Sequence, residues 1–230
     1  MDHFLTMAEQ TTASLELLLQ RAAAFKAGTD KAQFPGRTLA LLFEKPSLRT
    51  RVSFELAMRK MGGHCLYLSP AEVGLGQRES VQDVALVLSR FVDVIAARTF
   101  LHGTVEALAK YGSVPVVNAL TDEEHPCQAI ADVLTVLQRH PSVKGLTMTY
   151  IGDGNNCAIS LLYAWALLGG HYRIASPVGY ELPAAVVEQA NRMCAATGGS
   201  LTLLRDPLEA ARGAHALYTD VWTSMGQEAE

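Results

Sequence analysis

The segment Thr38-Leu-Ala-Leu-Leu-Phe-Glu-Lys-Pro-Ser-Leu-Arg-Thr50 contains the pattern that decides the fold. Its first six residues are mostly apolar, which is typical of a strand in a parallel sheet that is covered on both faces. Ser47 is a preferred N-cap residue, so the segment predicts a helix that begins at Leu48. A strand that leads directly into a helix is the repeating unit of an α/β fold.

The same alternation of short apolar runs and helical patterns continues through the 230 residues. It predicts an α/β fold with two doubly wound parallel-sheet domains. A polar link that contains Pro141 separates the predicted domains, residues 1–140 and residues 141–230. The strands are predicted at 38–43, 65–69, 94–98, 114–118, 146–151, 172–175, 201–204 and 216–219. The helices are predicted at 6–27, 48–61, 80–91, 103–111, 126–139, 156–168, 183–197 and 207–212.

The composition argues against several classes of protein. A formal net charge of -4 disfavours a protein that coats nucleic acid or an anionic membrane. The N-terminus lacks the pattern of a signal peptide. The apolar stretch 157–168 is shorter than the roughly 20 residues that span a bilayer, so it predicts a buried helix instead. The cysteines form no C-x-x-C pair, which disfavours a zinc cluster or a disulfide framework and favours a reducing compartment. We therefore expect a cytoplasmic protein with a small-molecule partner.

The predicted helix start at Ser47 has the features of an anion site. The backbone N–H groups of Leu48, Arg49 and Thr50 have no carbonyl partner in the first turn, and helix N-termini attract phosphate through such donors. The Arg49 guanidinium and the Thr50 hydroxyl add further hydrogen-bond donors at the same place. Taken alone, the motif is also compatible with an ordinary capped helix that carries surface arginines.

Two other predicted strand ends present polar residues. His125 precedes Pro126, which is favoured at the first position of a helix, and Gln128 follows in the same turn. Arg98 ends the strand 94–98, where an arginine can stabilise an oxyanion or bind phosphate. The alternatives are a helix-capping histidine with a solvated glutamine, or a thiol nucleophile or metal site at Cys127 for which the sequence shows no partner.

The last two motifs indicate an amino-acid ligand. The run Gly152-Asp-Gly-Asn-Asn-Cys157 imitates the dinucleotide fingerprint G-x-G-x-x-G, but Cys157 replaces the third glycine, so we expect no nucleotide cofactor. Asn156 is placed to hydrogen-bond an amino acid, and Asp220 is placed to pair with an ammonium group. As an alternative, Asp220 is a turn residue beside a buried Trp222.

Together these motifs resemble the aspartate/ornithine carbamoyltransferase family, and the Asp220-Val-Trp-Thr-Ser-Met-Gly226 loop resembles its ornithine branch. The resemblance covers the whole chain. It implies transfer of the carbamoyl group from carbamoyl phosphate to the side-chain amine of L-ornithine, which gives L-citrulline and phosphate in arginine metabolism. No metal or organic cofactor is implied, because carbamoyl phosphate is already an activated donor.

The resemblance also implies roles for individual residues. Arg98, His125 and Thr50 would stabilise the carbamoyl oxygen while charge builds on it. The implied carbamoyl phosphate site consists of Ser47, Leu48, Arg49, Thr50, Arg98, His125 and Gln128. The implied ornithine site consists of Asn156, Asp220, Ser224 and Met225.

The sequence departs from the family pattern in two places. Leu48 stands where a threonine is common, so one hydroxyl near the phosphate is missing. Family members continue past the Ser-Met-Gly loop to a His-Cys-Leu-Pro segment and a final helix, which this sequence lacks, so we expect a shortened ornithine domain. The segment 74–80 matches a loop that reaches a neighbouring subunit in a trimer, which implies a homo-oligomer.

Three alternatives follow from these departures and motifs. The first is a shortened chain that binds carbamoyl phosphate without turnover. The second is a carbamoyltransferase for another amine, such as putrescine or an acylated ornithine. The third is a nucleotide-binding oxidoreductase built on residues 152–156.

Overall fold

A computed structural model describes residues 2–75 and 78–220 of the chain. The chain forms two compact units. Within the described ranges, the first unit comprises residues 2–7 and 21–127, and the second comprises residues 8–20 and 128–220. The chain passes between the units three times, once between residues 7 and 8 and twice inside helices, α1 (Thr12–Ala27) and α6 (Pro126–Leu137). The functional domain boundary near residue 140 remains a prediction.

The first unit contains a parallel four-stranded sheet in the order β2-β1-β3-β4. Its strands are β1 (Thr38–Phe43), β2 (His64–Leu68), β3 (Val94–Arg98) and β4 (Val116–Leu120). Its helices, apart from the two shared ones, are α2 (Leu48–Lys60), α3 (Pro70–Val73), α4 (Val81–Leu88) and α5 (His102–Tyr111). The sequence did not predict the short α3.

Separate apolar cores cover the two faces of this sheet. Successive side chains of a strand point to opposite faces. Leu42 therefore packs with Val84 of α4 and Leu108 of α5, whereas Leu41 packs on the other face with Met58 of α2. Helices on both faces make this a doubly wound sheet, as predicted.

The second unit repeats the architecture with a parallel sheet in the order β7-β6-β5-β8. Its strands are β5 (Thr147–Ile151), β6 (His171–Ala175), β7 (Ser200–Leu204) and β8 (Ala216–Thr219). Its remaining helices are α7 (Asn156–Leu167), α8 (Ala184–Thr197) and α9 (Pro207–Ala211). Helix α7 is buried from Ala158 to Leu167, which confirms the prediction of a buried helix. Across the described part of the chain, every helix is too short or too polar to cross a bilayer.

The start of the predicted helix 6–27 is wrong, because α1 begins only at Thr12. The chain around Phe4 runs along the edge of β4, where the N–H of Phe4 donates to Val116 O (2.8 Å) and that of Asn118 donates to Phe4 O (2.8 Å). Strand β4 also extends to Leu120, two residues beyond its predicted end. Asn118 is tolerated inside the strand because its buried Nδ2 donates to Leu5 O (2.8 Å).

Gly154 lies where the chain approaches itself closely in the second unit. A Cβ atom at this position would stand 2.5 Å from the backbone N of Leu182 and 2.7 Å from the carbonyl carbon of Glu181. The space beside this glycine is therefore filled by the protein's own backbone. The finding disfavours the dinucleotide interpretation, in which a glycine at this position admits a pyrophosphate.

We predict that Gly154→Ala lowers the free energy of unfolding by about 1–3 kcal/mol, because backbone atoms cannot yield to the methyl group as a flexible side chain can. Gly103→Ala in α5 is the matched control, since the nearest atom to its added Cβ is 4.0 Å away. Denaturant titrations followed by far-ultraviolet circular dichroism compare the two variants. Equal stability of both would contradict the close approach at Gly154.

Candidate active site

Three loops at the carboxyl edge of the first sheet are tied together by hydrogen bonds. The backbone N–H of Glu44, after β1, donates to Arg98 O (2.8 Å), and the Glu44 carboxylate accepts from the N–H of Phe100 (2.8 Å). Asp122, after β4, donates its N–H to Phe100 O (2.9 Å) and forms an ion pair with Lys45. Glu44, Lys45 and Asp122 were not among the predicted site residues, because their partners are distant in the sequence. They fix the loops from which the predicted site residues project.

Helix α2 begins as predicted, with Ser47 in extended conformation as its N-cap. The Ser47 Oγ accepts from the N–H of Thr50 (3.3 Å) and lies 2.9 Å from the Thr50 Oγ1. Of the three predicted anion donors, the N–H of Thr50 is thus already bonded to Ser47. Within residues 2–75 and 78–220, the N–H groups of Leu48 and Arg49 have no acceptor. An anion at this helix start would find two backbone donors.

Leu48 extends away from the protein, since 78% of its surface is exposed. An anion at the helix start would be bound by the backbone N–H of this residue and not by its side chain. The leucine therefore keeps the backbone donor that the predicted phosphate site needs, although it lacks the hydroxyl of the threonine that is common in the family.

Arg98 lies next to Thr50. The sequence predicted that polar residues at the ends of neighbouring strands form one site. Its side chain is buried, and its Nη1 lies 3.5 Å from the Thr50 Oγ1. The pairing of β3 with β4 shifts between Ala97 and Arg98, so that Arg98 stands opposite Leu120. Such bulges redirect a side chain at the end of a strand. The arginine therefore supplies positive charge beside the start of α2.

His125 lies in the loop between β4 and α6, immediately after the buried Glu124. The Glu124 carboxylate accepts from the N–H of Met7 (2.9 Å) and from the hydroxyl of Thr6. The backbone N–H of Glu124 donates to the Oγ1 of Thr121 (3.2 Å). These bonds anchor the residue before His125 to the N-terminal segment. Glu124 is a second element of the site that sequence reasoning missed.

The environment of Cys127 disfavours the alternative of a thiol nucleophile. Its thiol donates to the backbone O of Asn118 (3.5 Å), and burial raises the pKa of the thiol to about 12. A cysteine nucleophile needs a thiolate, which this environment suppresses at neutral pH. The described residues also contain no group of three or more His, Cys, Asp or Glu side chains arranged to hold a metal ion.

In the second unit, Asp220 is held by Asn155, the N-cap of α7. The Asn155 Nδ2 donates to the Asp220 Oδ2 (3.0 Å), while the Asn155 Oδ1 accepts from the N–H groups of Cys157 and Ala158 (3.1 Å each). The hydroxyl of Tyr150 donates to the same Oδ1 (3.2 Å). Asn155 therefore links the helix start to the predicted ammonium partner. A polar residue before an apolar helix was the sequence signal for this cap.

Other predicted residues of the ornithine site are placed less completely. Asn156 is the first residue of α7 and is partly buried. Ser224 and Met225 lie outside the described residues, as does Trp222, so the alternative of a turn Asp220 beside a buried tryptophan stays untested.

Gln128 belongs to a second series of hydrogen-bonded polar side chains in the same unit. Its Nε2 donates to the Oδ1 of Asp132 (2.9 Å), one helical turn further along α6, and the hydroxyl of Tyr218 also hydrogen-bonds Asp132. Burial raises the pKa of Asp132 to about 6, the two hydrogen bonds oppose this shift, and the negative charge of Asp220 adds to it. Gln128 was a predicted site residue, whereas Asp132 and Tyr218 were not.

Two family models match this chain. The family model described as "Aspartate/ornithine carbamoyltransferase, carbamoyl-P binding domain" matches residues 2–138, and the one described as "Asp/Orn binding domain" matches residues 144–230. The chain belongs to the aspartate/ornithine carbamoyltransferase family. This result confirms the resemblance read from the motifs. The match to the carbamoyl-P binding domain contains the start of α2 and Arg98.

Similar proteins carry the name of the ornithine branch. An ornithine carbamoyltransferase of Anoxybacillus flavithermus is 48% identical over 99% of this chain and 74% of its own length. A solved ornithine carbamoyltransferase structure from Pyrococcus furiosus has a TM-score of 0.94 at 45% identity, over 99% of this chain and 74% of that one. The structure from Thermus thermophilus has a TM-score of 0.87 at 48% identity, over 95% and 74% of the two chains. These likenesses confirm the predicted fold class.

We predict that Arg49→Ala weakens binding of carbamoyl phosphate about 10- to 100-fold, since a hydrogen bond to a charged group contributes about 1.5–3 kcal/mol. Arg49 is exposed, so the substitution should leave the fold intact. Arg59→Ala, near the far end of the same helix, is the control, because its side chain is 67% exposed. Isothermal calorimetry measures both variants. Unchanged affinity in Arg49→Ala would refute its place in the phosphate seat.

The raised pKa of Asp132 predicts a pH dependence of stability. The native carboxyl holds its proton to about pH 6, against an ordinary pKa of 3.8. Its contribution to stability is therefore full below about pH 4 and is lost as the pH rises through about 6. Because Asp132→Asn cannot ionise, its free energy of unfolding relative to the wild type should increase by about 2 kcal/mol from pH 4 to pH 7.

Tryptophan fluorescence is the measurement for this variant, because Trp165 is buried in α7 of the second unit, which also contains Asp132. The control is Asp2→Asn, whose side chain is exposed. If the wild type and Asp132→Asn show parallel stability curves over this pH range, Asp132 titrates normally and the predicted shift is wrong.

Proposed function

We propose that this chain transfers the carbamoyl group of carbamoyl phosphate to the side-chain amine of L-ornithine, which gives L-citrulline and phosphate. The observation that carries the proposal is the buried Arg98 beside Thr50 at the start of α2. Two backbone donors, a hydroxyl and a guanidinium at one helix start suit a phosphorylated donor. The ornithine carbamoyltransferases named above, which align with nearly the whole chain, support the choice of reaction.

In the proposed reaction, the neutral side-chain nitrogen of ornithine attacks the carbamoyl carbon. A C–N bond forms, the bond from that carbon to the phosphate oxygen breaks, and phosphate leaves with the electron pair while the amine nitrogen loses a proton. Ser47, Leu48 and Arg49 bind the phosphate. Arg98, with Thr50 and His125, stabilises the carbamoyl oxygen, where charge develops in the transition state.

The second unit supplies the groups for the acceptor in this proposal. Asp220, oriented by Asn155, pairs with the α-ammonium group of ornithine, and Asn156 hydrogen-bonds the amino acid. Ser224 and Met225 complete this site in the proposal, and Gln128 completes the carbamoyl phosphate site. We assign carbamoyl phosphate binding to residues 1–140 and ornithine binding to residues 141–230. No cofactor takes part, since the donor is already activated.

We also propose a homo-oligomer, a trimer by family resemblance. Leu48, Val52 and Leu56 recur every four residues on α2 and are all exposed. This apolar stripe supports the oligomer, because a second copy of the chain would cover it. All four cysteines are free thiols, which supports the proposed cytoplasmic location.

The decisive assay offers the chain carbamoyl phosphate with L-ornithine, L-aspartate or putrescine. We expect citrulline from ornithine and no product from the other two acceptors. Arg98→Ala should lower kcat by about 10²–10³, the usual cost of removing one donor to a developing oxyanion. If carbamoyl phosphate protects the chain from thermal unfolding but no citrulline forms, the chain is a binding protein and the proposed activity is wrong.

A further inference from the structure

Asp132 is a partly buried acid that the proposed mechanism does not use. It lies on α6 four residues after Gln128, and the two side chains meet because such spacing brings them to one face of a helix. The Gln128 Nε2 donates to its Oδ1 at 2.9 Å. Burial of a carboxylate is costly, so its presence here calls for a compensating role or compensating bonds.

A second element holds the same carboxylate. The hydroxyl of Tyr218, on β8, hydrogen-bonds Asp132. Tyr218 is itself fixed, since its ring stacks on that of Tyr150 with centroids 5.4 Å apart and planes 13° apart. Asp132 is thus bound by one donor from α6 and one from β8. Two donors on different elements therefore hold this carboxylate.

The carboxylate determines which way the amide of Gln128 points. An ionised carboxylate only accepts hydrogen bonds, so the NH₂ of the amide must face Asp132. A flipped amide would set its oxygen against a carboxylate oxygen, which is repulsive. The pKa of Asp132, about 6, keeps the group largely ionised above that pH. The Gln128 Oε1 is consequently directed away from Asp132, and it has no partner among the residues that the structure describes.

We propose that Asp132 is a positioning residue that orients Gln128 so that its Oε1 accepts a hydrogen bond from the amino group of the carbamoyl donor. The inference rests on the proposed function, which places Gln128 at the donor. Carbamoyl phosphate carries an NH₂ where acetyl phosphate carries a methyl group. The oriented oxygen therefore selects the carbamoyl donor, since a methyl group would leave this acceptor unsatisfied.

The test compares the dissociation constants of carbamoyl phosphate and acetyl phosphate, measured by calorimetry at pH 8 on the whole chain. We expect the wild type to prefer carbamoyl phosphate about tenfold, as one hydrogen bond implies. Asp132→Leu should reduce this ratio to between about one and two, because it weakens the binding of carbamoyl phosphate and leaves the binding of acetyl phosphate unchanged. Asp132→Asn retains an oxygen that can accept from Gln128, so it should restore most of the preference.

The variants also separate positioning from a merely structural role. Gln128→Leu should lower the ratio as much as Asp132→Leu does, and the double variant should lower it no further, because both act through one oxygen. An equal loss of affinity for both acyl phosphates in Asp132→Leu would overturn the proposal, as would an unchanged ratio. A wild-type chain that binds neither compound would instead refute the proposed function.

Discussion

The parallel pairing of β1 with β3 is the constraint on which the first unit's site depends. It places Phe43, the last residue of β1, opposite Arg98, the last residue of β3. The turn after Phe43 must then pass beside the residues after Arg98, and Glu44 bonds to both Arg98 and Phe100. The start of α2 is thereby fixed next to a buried guanidinium. Strand register, and not any single polar contact, brings the anion donors together.

In the second unit, the stacked rings of Tyr150 and Tyr218 position the predicted site residues, as strand register does in the first unit. Tyr150 bonds to Asn155, which holds Asp220, and Tyr218 bonds to Asp132, which holds Gln128. Each tyrosine therefore supports one polar side chain that is proposed to contact a substrate. The rings lie on neighbouring strands, β5 and β8, so the geometry of the sheet is transmitted to both side chains.

The sequence predicts those features whose signals are local. The Ser47 cap, the burial of α7 and the position of Arg98 at a strand end all follow from short patterns. Other features depend on residues that are distant in the chain. Asn155 reaches Asp220 65 residues away, and no local pattern specifies such a partner. The predicted helix began too early for the same reason, because the chain around Phe4 pairs with a strand that lies more than 100 residues later.

The placement of those first residues has a consequence for how the chain folds. Residues 4–7 cover the outer edge of β4, and their bonds to Asn118 and Glu124 span 113 to 118 residues. They precede these partners by more than 100 residues, so they have no edge to pair with until almost the whole first unit has been synthesised. Once β4 has formed, any other extended segment can compete with them for its outer edge. A tag fused close to Phe4 would be such a competitor.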